Sequence, residues 1–372
     1  MHYFYYLLCL TFIFSCGRNT IKNKNQAETI VSASPIQKDE VKFVNSIKLL
    51  SPTRSKQYDF GEEITIEFEN KERFPIDSSK LTINGQEIAK LGKDIKSYTY
   101  RLPSHKAGKH TLKVICWHPE HKQGSASIDI YLKPKQMPEQ YGYDVINVFP
   151  HDTKAYTQGL QYHEGYMYES TGQYGESTLR KTDIKNGNIL SVLNLDNQYF
   201  GEGITIYKNK IYQITWRSRK GFVYDLKTFT LESSFNYHSE GWGITTAEDH
   251  LIMSDGSNKL YVIDPTHFYI LKEIEVYDHK GPVNQLNELE YVNGYVWANV
   301  WQTDRIVVID PKTGVVTAEL DLSHLLTPAE KNTIDDLDDV LNGIAWNALK
   351  NTFYVTGKRW PKMFEIKINS NK

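Results

Sequence analysis

Five times along the C-terminal two-thirds of this chain, a segment opens with a polar or aromatic residue, then usually Gly, then Ile or Leu. The instances are Gln158-Gly-Leu160, Glu202-Gly-Ile204, Trp242-Gly-Ile244, Asn287-Glu-Leu289 and Asn342-Gly-Ile344. They lie 44, 40, 45 and 55 residues apart, the period of a four-stranded propeller blade. The longest interval carries an insertion at 323–339, where Thr327-Pro-Ala-Glu330 reads as a helix start. A second register follows each opening, at Gly172, Trp216, Gly256, Trp301 and Lys358. A third strand is visible in Phe222–Asp225, Leu260–Asp264 and Ile306–Asp310. The last unit supplies only three strands, so Tyr143–Phe149, ahead of the first opening, is expected to complete it and seal the sheet edges. The expected fold class is all-β, a five-bladed β-propeller over residues 143–370.

The rest of the 372-residue chain divides by composition. Residues 1–15 read as a lipoprotein signal peptide: a short apolar run ends in small Ser15, followed by Cys16 and small Gly17. Cys16 is the expected lipidation site, although the segment before the apolar run carries no Lys or Arg. Residues 16–42 are rich in Asn, Lys, Ser and Gln and read as a flexible tether. Short alternating strands over 43–135, with a hairpin signal at Asn84-Gly85, predict a small immunoglobulin-like β-sandwich. Residues 136–142, with Pro138, read as a connector. Of the three cysteines, only Cys116 lies beyond the signal and the lipidation site, and its strand setting predicts a buried residue. With 43 Lys and Arg against 45 Asp and Glu, and no basic run, nothing points to nucleic acid.

In a propeller the innermost strands line the axis and their starts share one mouth, so Gln158, Glu202, Trp242, Asn287 and Asn342 are expected to converge there. Trp216, Trp301 and Lys358 fall just outside. Polar groups at such positions are costly unless used or paired. Glu202 is the single acid among the openings. Tryptophan walls would desolvate it, raise its pKa and suit it to proton transfer near neutral pH. Lys358 can neutralise developing negative charge, and Asn287 and Gln158 can orient an amide or amine. Taken singly, each has an ordinary structural explanation. It is their convergence that points to a site.

A family resemblance is carried by Tyr156-Thr-Gln-Gly159, Tyr168–Gly172, Phe200-Gly-Glu-Gly-Ile204, Gly241-Trp-Gly243, Leu286–Tyr291, Val296–Asp304, Asp339–Trp346 and Val355–Lys362. Over about residues 143–368 the chain resembles the plant and bacterial glutaminyl-peptide cyclotransferases of the papaya type. The resemblance implies closure of an N-terminal glutamine to pyroglutamate with release of ammonia. It places the catalytic glutamate at Glu202, the aromatic pocket at Tyr156, Phe200, Trp216, Trp242 and Trp301, and the polar contacts at Gln158, Asn287 and Lys358. Tyr156 stands where the papaya type has Phe. The implied partners are peptides or proteins beginning with Gln, met by a monomer.

No cofactor and no metal is expected: the twelve His show no HxH or HExxH spacing and no Cys pair exists. The acidic run Asp335–Asp339 offers calcium a minor possibility. Two other readings remain open from the residues: a metal-dependent, lactonase-like propeller hydrolase, and a non-catalytic peptide-binding propeller. The expected location is the bacterial cell envelope, lipid-anchored on the periplasmic or outer-membrane side.

Overall fold

The computed structural model describes residues 42–369 apart from 45, 72–74, 121 and 336. The expected signal peptide, the expected lipidation site Cys16 and all of the expected tether but Lys42 lie outside the described residues. The described residues belong to one compact unit and are all-β, with one short helix. No helix among them is long and apolar enough to cross a membrane.

Two sheets precede the repeats. One pairs Glu63–Asn70 with Ile47–Ser51 and Ser97–Arg101. The other is built on the long hairpin Gly108–His118 and Lys122–Lys133, extended by Ser78–Ile83 and Gln86–Leu91. Strict alternation of buried and exposed residues along Glu63–Phe68 and Gly108–His118 gives each sheet one apolar face. These faces meet in a core including Ile66, Phe68, Leu81, Leu112, Val114 and Ile130. Cys116 is fully buried in that core, which pushes its thiol up to about 12. Asn84 and Gly85 make the expected hairpin turn, both with positive φ, between Ser78–Ile83 and Gln86–Leu91.

The repeats form successive antiparallel meanders. The first comprises Thr157–His163, Tyr166–Thr171, Thr178–Asp183 and Ile189–Asn194; the second and third follow the same plan from Gly201 and Ile244. The fourth runs from Leu286–Val292 to Val315–Asp321, and the fifth from Leu341–Asn347 to Lys362–Asn369. The strand Glu139–Pro150 pairs antiparallel with Lys362–Asn369, as its position ahead of the repeats predicts. It begins inside the stretch read as a connector, because Glu139–Tyr141 also pairs in parallel with Ala318–Leu320 and joins the fourth and fifth meanders into one sheet.

Burial is graded across each meander. In the first, the inner strand starts fully buried while Ile189–Asn194 is mostly exposed. Hydrophobic clusters fill the gaps between neighbouring meanders. Leu179 and Tyr168 pack with Ile204 and Phe222, and Tyr212 and Ile214 with Ile244 and Leu251. The series returns on itself where Leu160 and Met167 of the first meander meet Ala345, Tyr354 and Met363 of the fifth. Each such side chain contributes about 1.5–3 kcal/mol when fully buried. The insertion between the fourth and fifth meanders holds the helix Pro328–Lys331, capped by Thr327 and Glu330 in a reciprocal box.

Candidate active site

The five repeat openings converge because the backbones beside them nearly touch. A Cβ on Gly159 would lie 2.4 Å from the Ile204 nitrogen, and one on Gly203 2.7 Å from the Ile244 nitrogen. Glycine at these positions is therefore dictated by the approach of one inner strand to the next. The fourth opening has Glu288 instead of Gly. Its carboxyl reaches the first and fifth meanders and accepts the N–H of Leu160 at 3.1 Å and of Ile344 at 2.8 Å. The second register also has a backbone cause. Gly172, Trp216, Trp301 and Lys358 each donate their N–H to the carbonyl two residues before the opening of their own repeat, at Tyr156, Phe200, Gln285 and Val340.

All nine residues expected to act on substrate line one cavity of about 240 Å³: Tyr156, Gln158, Phe200, Glu202, Trp216, Trp242, Asn287, Trp301 and Lys358. Asn342, the remaining opening, serves a neighbour. Its Nδ2 donates to Gln158 Oε1 and to the Thr157 carbonyl, both at 3.0 Å, and so orients the Gln158 amide. Two lining residues were not foreseen, Gln173 and Asp338. Asp338 Oδ1 accepts the Tyr156 hydroxyl at 2.5 Å, and Asp338 and Asp339 both bind Arg359. The acidic run reads by itself as a solvated loop, and its partner Arg359 lies twenty residues on. Among the described residues no cluster of three or more His, Cys, Asp or Glu is placed to hold a metal ion.

The walls are aromatic. Tyr156 meets Phe200 edge-on with ring centres 6.1 Å apart, Phe200 meets Trp216 at 5.5 Å, and Trp242 meets Trp301 at 5.5 Å and 89°. Lys358 Nζ lies 4.7 Å from the centre of the Tyr156 ring, a cation–π contact. Two ionisable groups face each other in this dry setting. Glu202 is 4% exposed. Burial holds its carboxyl well above the usual range, against the pull of Lys358 and with a push from Glu240. Lys358 is 3% exposed, and burial lowers its pKa while Glu202 and Asp338 oppose the fall. Neither Glu202 nor the Lys358 ammonium is tied up by a hydrogen bond within the described residues. Asn287 is likewise buried with an unpaired Oδ1. Unpaired polar groups of three kinds, gathered around a cavity with apolar walls, are what a substrate with its own amine and amide would satisfy.

Comparison with known proteins agrees with that chemistry. A family model described as glutamine cyclotransferase matches residues 115–368, starting upstream of the repeats, within the strand Gly108–His118. A glutaminyl-peptide cyclotransferase of Arabidopsis thaliana is 42% identical over 227 residues, covering 60% of this chain and 71% of that protein. The crystal structure of Myxococcus xanthus glutaminyl cyclase superposes with a TM-score of 0.59 at 33% identity, covering 63% of this chain and 100% of that one. With the match running through all five inner strands and every lining residue of the cavity, the chain belongs to the glutamine cyclotransferase family.

Proposed function

We propose that this protein closes the N-terminal glutamine of peptides or proteins to pyroglutamate and releases ammonia. The observation that carries this reading is Glu202, a buried carboxyl with no hydrogen-bond partner among the described residues, facing Lys358 in an aromatic cavity. The α-amine must lose its proton before its nitrogen can attack the γ-carbonyl carbon. An α-ammonium has a pKa of about 7.7–8.0, and burial moves Glu202 in that direction, which makes exchange between the two inexpensive. As the C–N bond forms, the carbonyl oxygen becomes an oxyanion beside Lys358, with Asn287 as a second polar contact. Glu202, carrying the proton taken from the α-ammonium, delivers it to the γ-nitrogen and takes in return the proton shed by the attacking nitrogen. The C–N bond to that nitrogen then breaks, ammonia leaves, and the carbonyl re-forms within the lactam ring. Gln158, oriented by Asn342, fits the substrate amide, and the tryptophans enclose its alkyl stem and exclude water.

The finer architecture belongs to the same proposal. The five meanders, with packing that returns from the fifth to the first, support a five-bladed propeller over 143–370, and the two facing sheets before them support an immunoglobulin-like sandwich over 43–135. A metal-free reaction, a monomer, and an envelope location through lipid on Cys16 complete it. The test is mass spectrometry of Gln-initiated peptides incubated with the protein in excess chelator. Loss of one ammonia per peptide is expected with the wild type and not with Glu202→Gln. Near-normal turnover by that variant refutes the role of Glu202, and turnover abolished by chelation refutes the metal-free mechanism.

A further inference from the structure

Beside the tryptophan walls lies a carboxylate that the reaction above does not use. Glu240 Oε2 accepts the indole N–H of Trp216 at 2.8 Å and that of Trp242 at 3.1 Å. Its Oε1 accepts Arg217 Nε at 3.2 Å, and the Arg217 guanidinium lies 3.9 Å from the centre of the Trp216 ring. A buried indole N–H needs some acceptor, and a carbonyl or a water commonly serves. Here one charged oxygen serves two indoles from different repeats. Trp216 follows the second strand of the second meander, and Trp242 opens the third. The ring contacts form two runs, Tyr156–Phe200–Trp216 and Trp242–Trp301. Glu240 is the side chain that ties one run to the other.

We propose that Glu240 is a positioning residue of the substrate pocket, fixing the indoles of Trp216 and Trp242 through a single carboxylate and thereby the width of the slot that receives the glutamine side chain. Its own state suits the task. Burial pushes its carboxyl upward, but the hydrogen bonds from Trp242, Trp216 and Arg217 outweigh that and hold it ionised at neutral pH. A charged acceptor makes stronger and shorter bonds than a neutral one. A glutamine at this position could offer its one oxygen to the indoles, but it would lose the charge and place an NH2 where Oε1 or Oε2 now accepts.

The charge of Glu240 also reaches Glu202, opposing Lys358; the Tyr156 and Tyr237 hydroxyls are the other ionisable groups in the field of Glu202. Asp338, Asp339 and Arg359 act on Lys358 from the insertion and its flank. Removing the charge of Glu240 therefore lowers the Glu202 pKa. That shift follows from the charge alone, so KM against kcat and the indole band are the readouts of positioning.

The kinetic part of the test rests on the cyclotransferase reading, and the spectroscopic part does not. Glu240→Gln and Glu240→Asp are compared with wild type for kcat, KM, the pH dependence of kcat/KM with a Gln-initiated peptide, and the near-ultraviolet circular dichroism of the indoles. Glu240→Gln is expected to raise KM about tenfold, the scale of one lost charged hydrogen bond, with a smaller fall in kcat. It should shift the limb governed by Glu202 to lower pH and weaken the indole band. Glu240→Asp keeps the charge but is one methylene too short, so it should raise KM while leaving that limb in place. An unchanged KM and indole band in Glu240→Gln overturn the proposal. If wild type forms no pyroglutamate, the cyclisation reading falls, and the indole band alone decides the role of Glu240. Should Glu240→Gln not fold, the aspartate variant decides by the same two readouts.

Discussion

Glu202 and Glu288 are two buried glutamates on the first strands of the second and fourth meanders, and they live under opposite rules. Both sit at inner-strand openings, both are under 5% exposed, and burial lifts both well above the ordinary carboxyl range. Glu288 is wired: two backbone N–H groups from the first and fifth meanders end on its oxygens. Among the described residues Glu202 has no such bonds, and it lines the cavity with Lys358. A buried polar group that the protein satisfies holds the structure together. One that it leaves unsatisfied stores a demand that a ligand can meet.

That contrast can be broken by mutation. Glu202→Gln is expected to lower kcat by about two to four powers of ten, the usual weight of general acid–base help, with a melting temperature close to wild type. A large loss of stability instead would place Glu202 with Glu288. Lys358→Met should cost about 10²- to 10³-fold in kcat if it holds the oxyanion. It should also raise the pKa of Glu202, since the cation that lowers it is gone. Glu288→Ala reverses the pattern: it leaves the N–H groups of Leu160 and Ile344 unpaired, costing about 1–3 kcal/mol each. Denaturant unfolding should report that loss while kcat per folded molecule stays near normal.

A gentler test uses pH. Glu290, two residues on from Glu288, accepts bonds from Gln161 and the Trp346 N–H, and burial pushes its carboxyl up from 4.5 to about 8. A carboxyl raised on folding contributes stability that is complete below its unfolded value. Stability should therefore decline as pH rises from about 4.5 through 8, by up to about 1.4 kcal/mol per unit for this one group. Glu290→Gln should flatten that slope, and an undiminished slope in the variant would falsify the assignment. The smallest expected effect is that of Tyr156→Phe. The ring and its contacts with Phe200 and Lys358 remain, and Asp338 keeps Arg359. A change of a few-fold in kcat/KM is expected; a hundredfold loss would mean that the Tyr156 hydroxyl touches the reacting groups.

Much of the site was legible because the repeat is a local property. The spacing from opening to second register is set by two strands, the turn between them and one backbone hydrogen bond within the same repeat, as at Trp216 to Phe200 and Trp301 to Gln285. Counting residues therefore carries Gln158, Glu202 and Asn287 to one cavity without any knowledge of the tertiary structure. The helix start at Thr327 and the hairpin at Asn84-Gly85 were legible for the same reason, since caps and turns are short-range. Where the reading fell short, the partner was distant. Asn342 had no assigned use because its partner, Gln158, is 184 residues away. Asp338 looked like one acid among several because Tyr156 lies 182 residues before it. Glu240 stands two residues before an opening already picked out, yet nothing in that run announces that Trp216 shares its oxygen.

By itself, the sequence determined the all-β class, the registered repeats and seven of the side chains that meet at the cavity, because periodicity and turn chemistry act within one repeat at a time; Tyr156 and Phe200 were reached only through the family resemblance. Only the closed tertiary structure decided which buried acid is satisfied and which is left free. That choice depends on backbone N–H groups of Leu160 and Ile344 brought to Glu288 from the first and fifth meanders, and on none among the described residues being brought to Glu202.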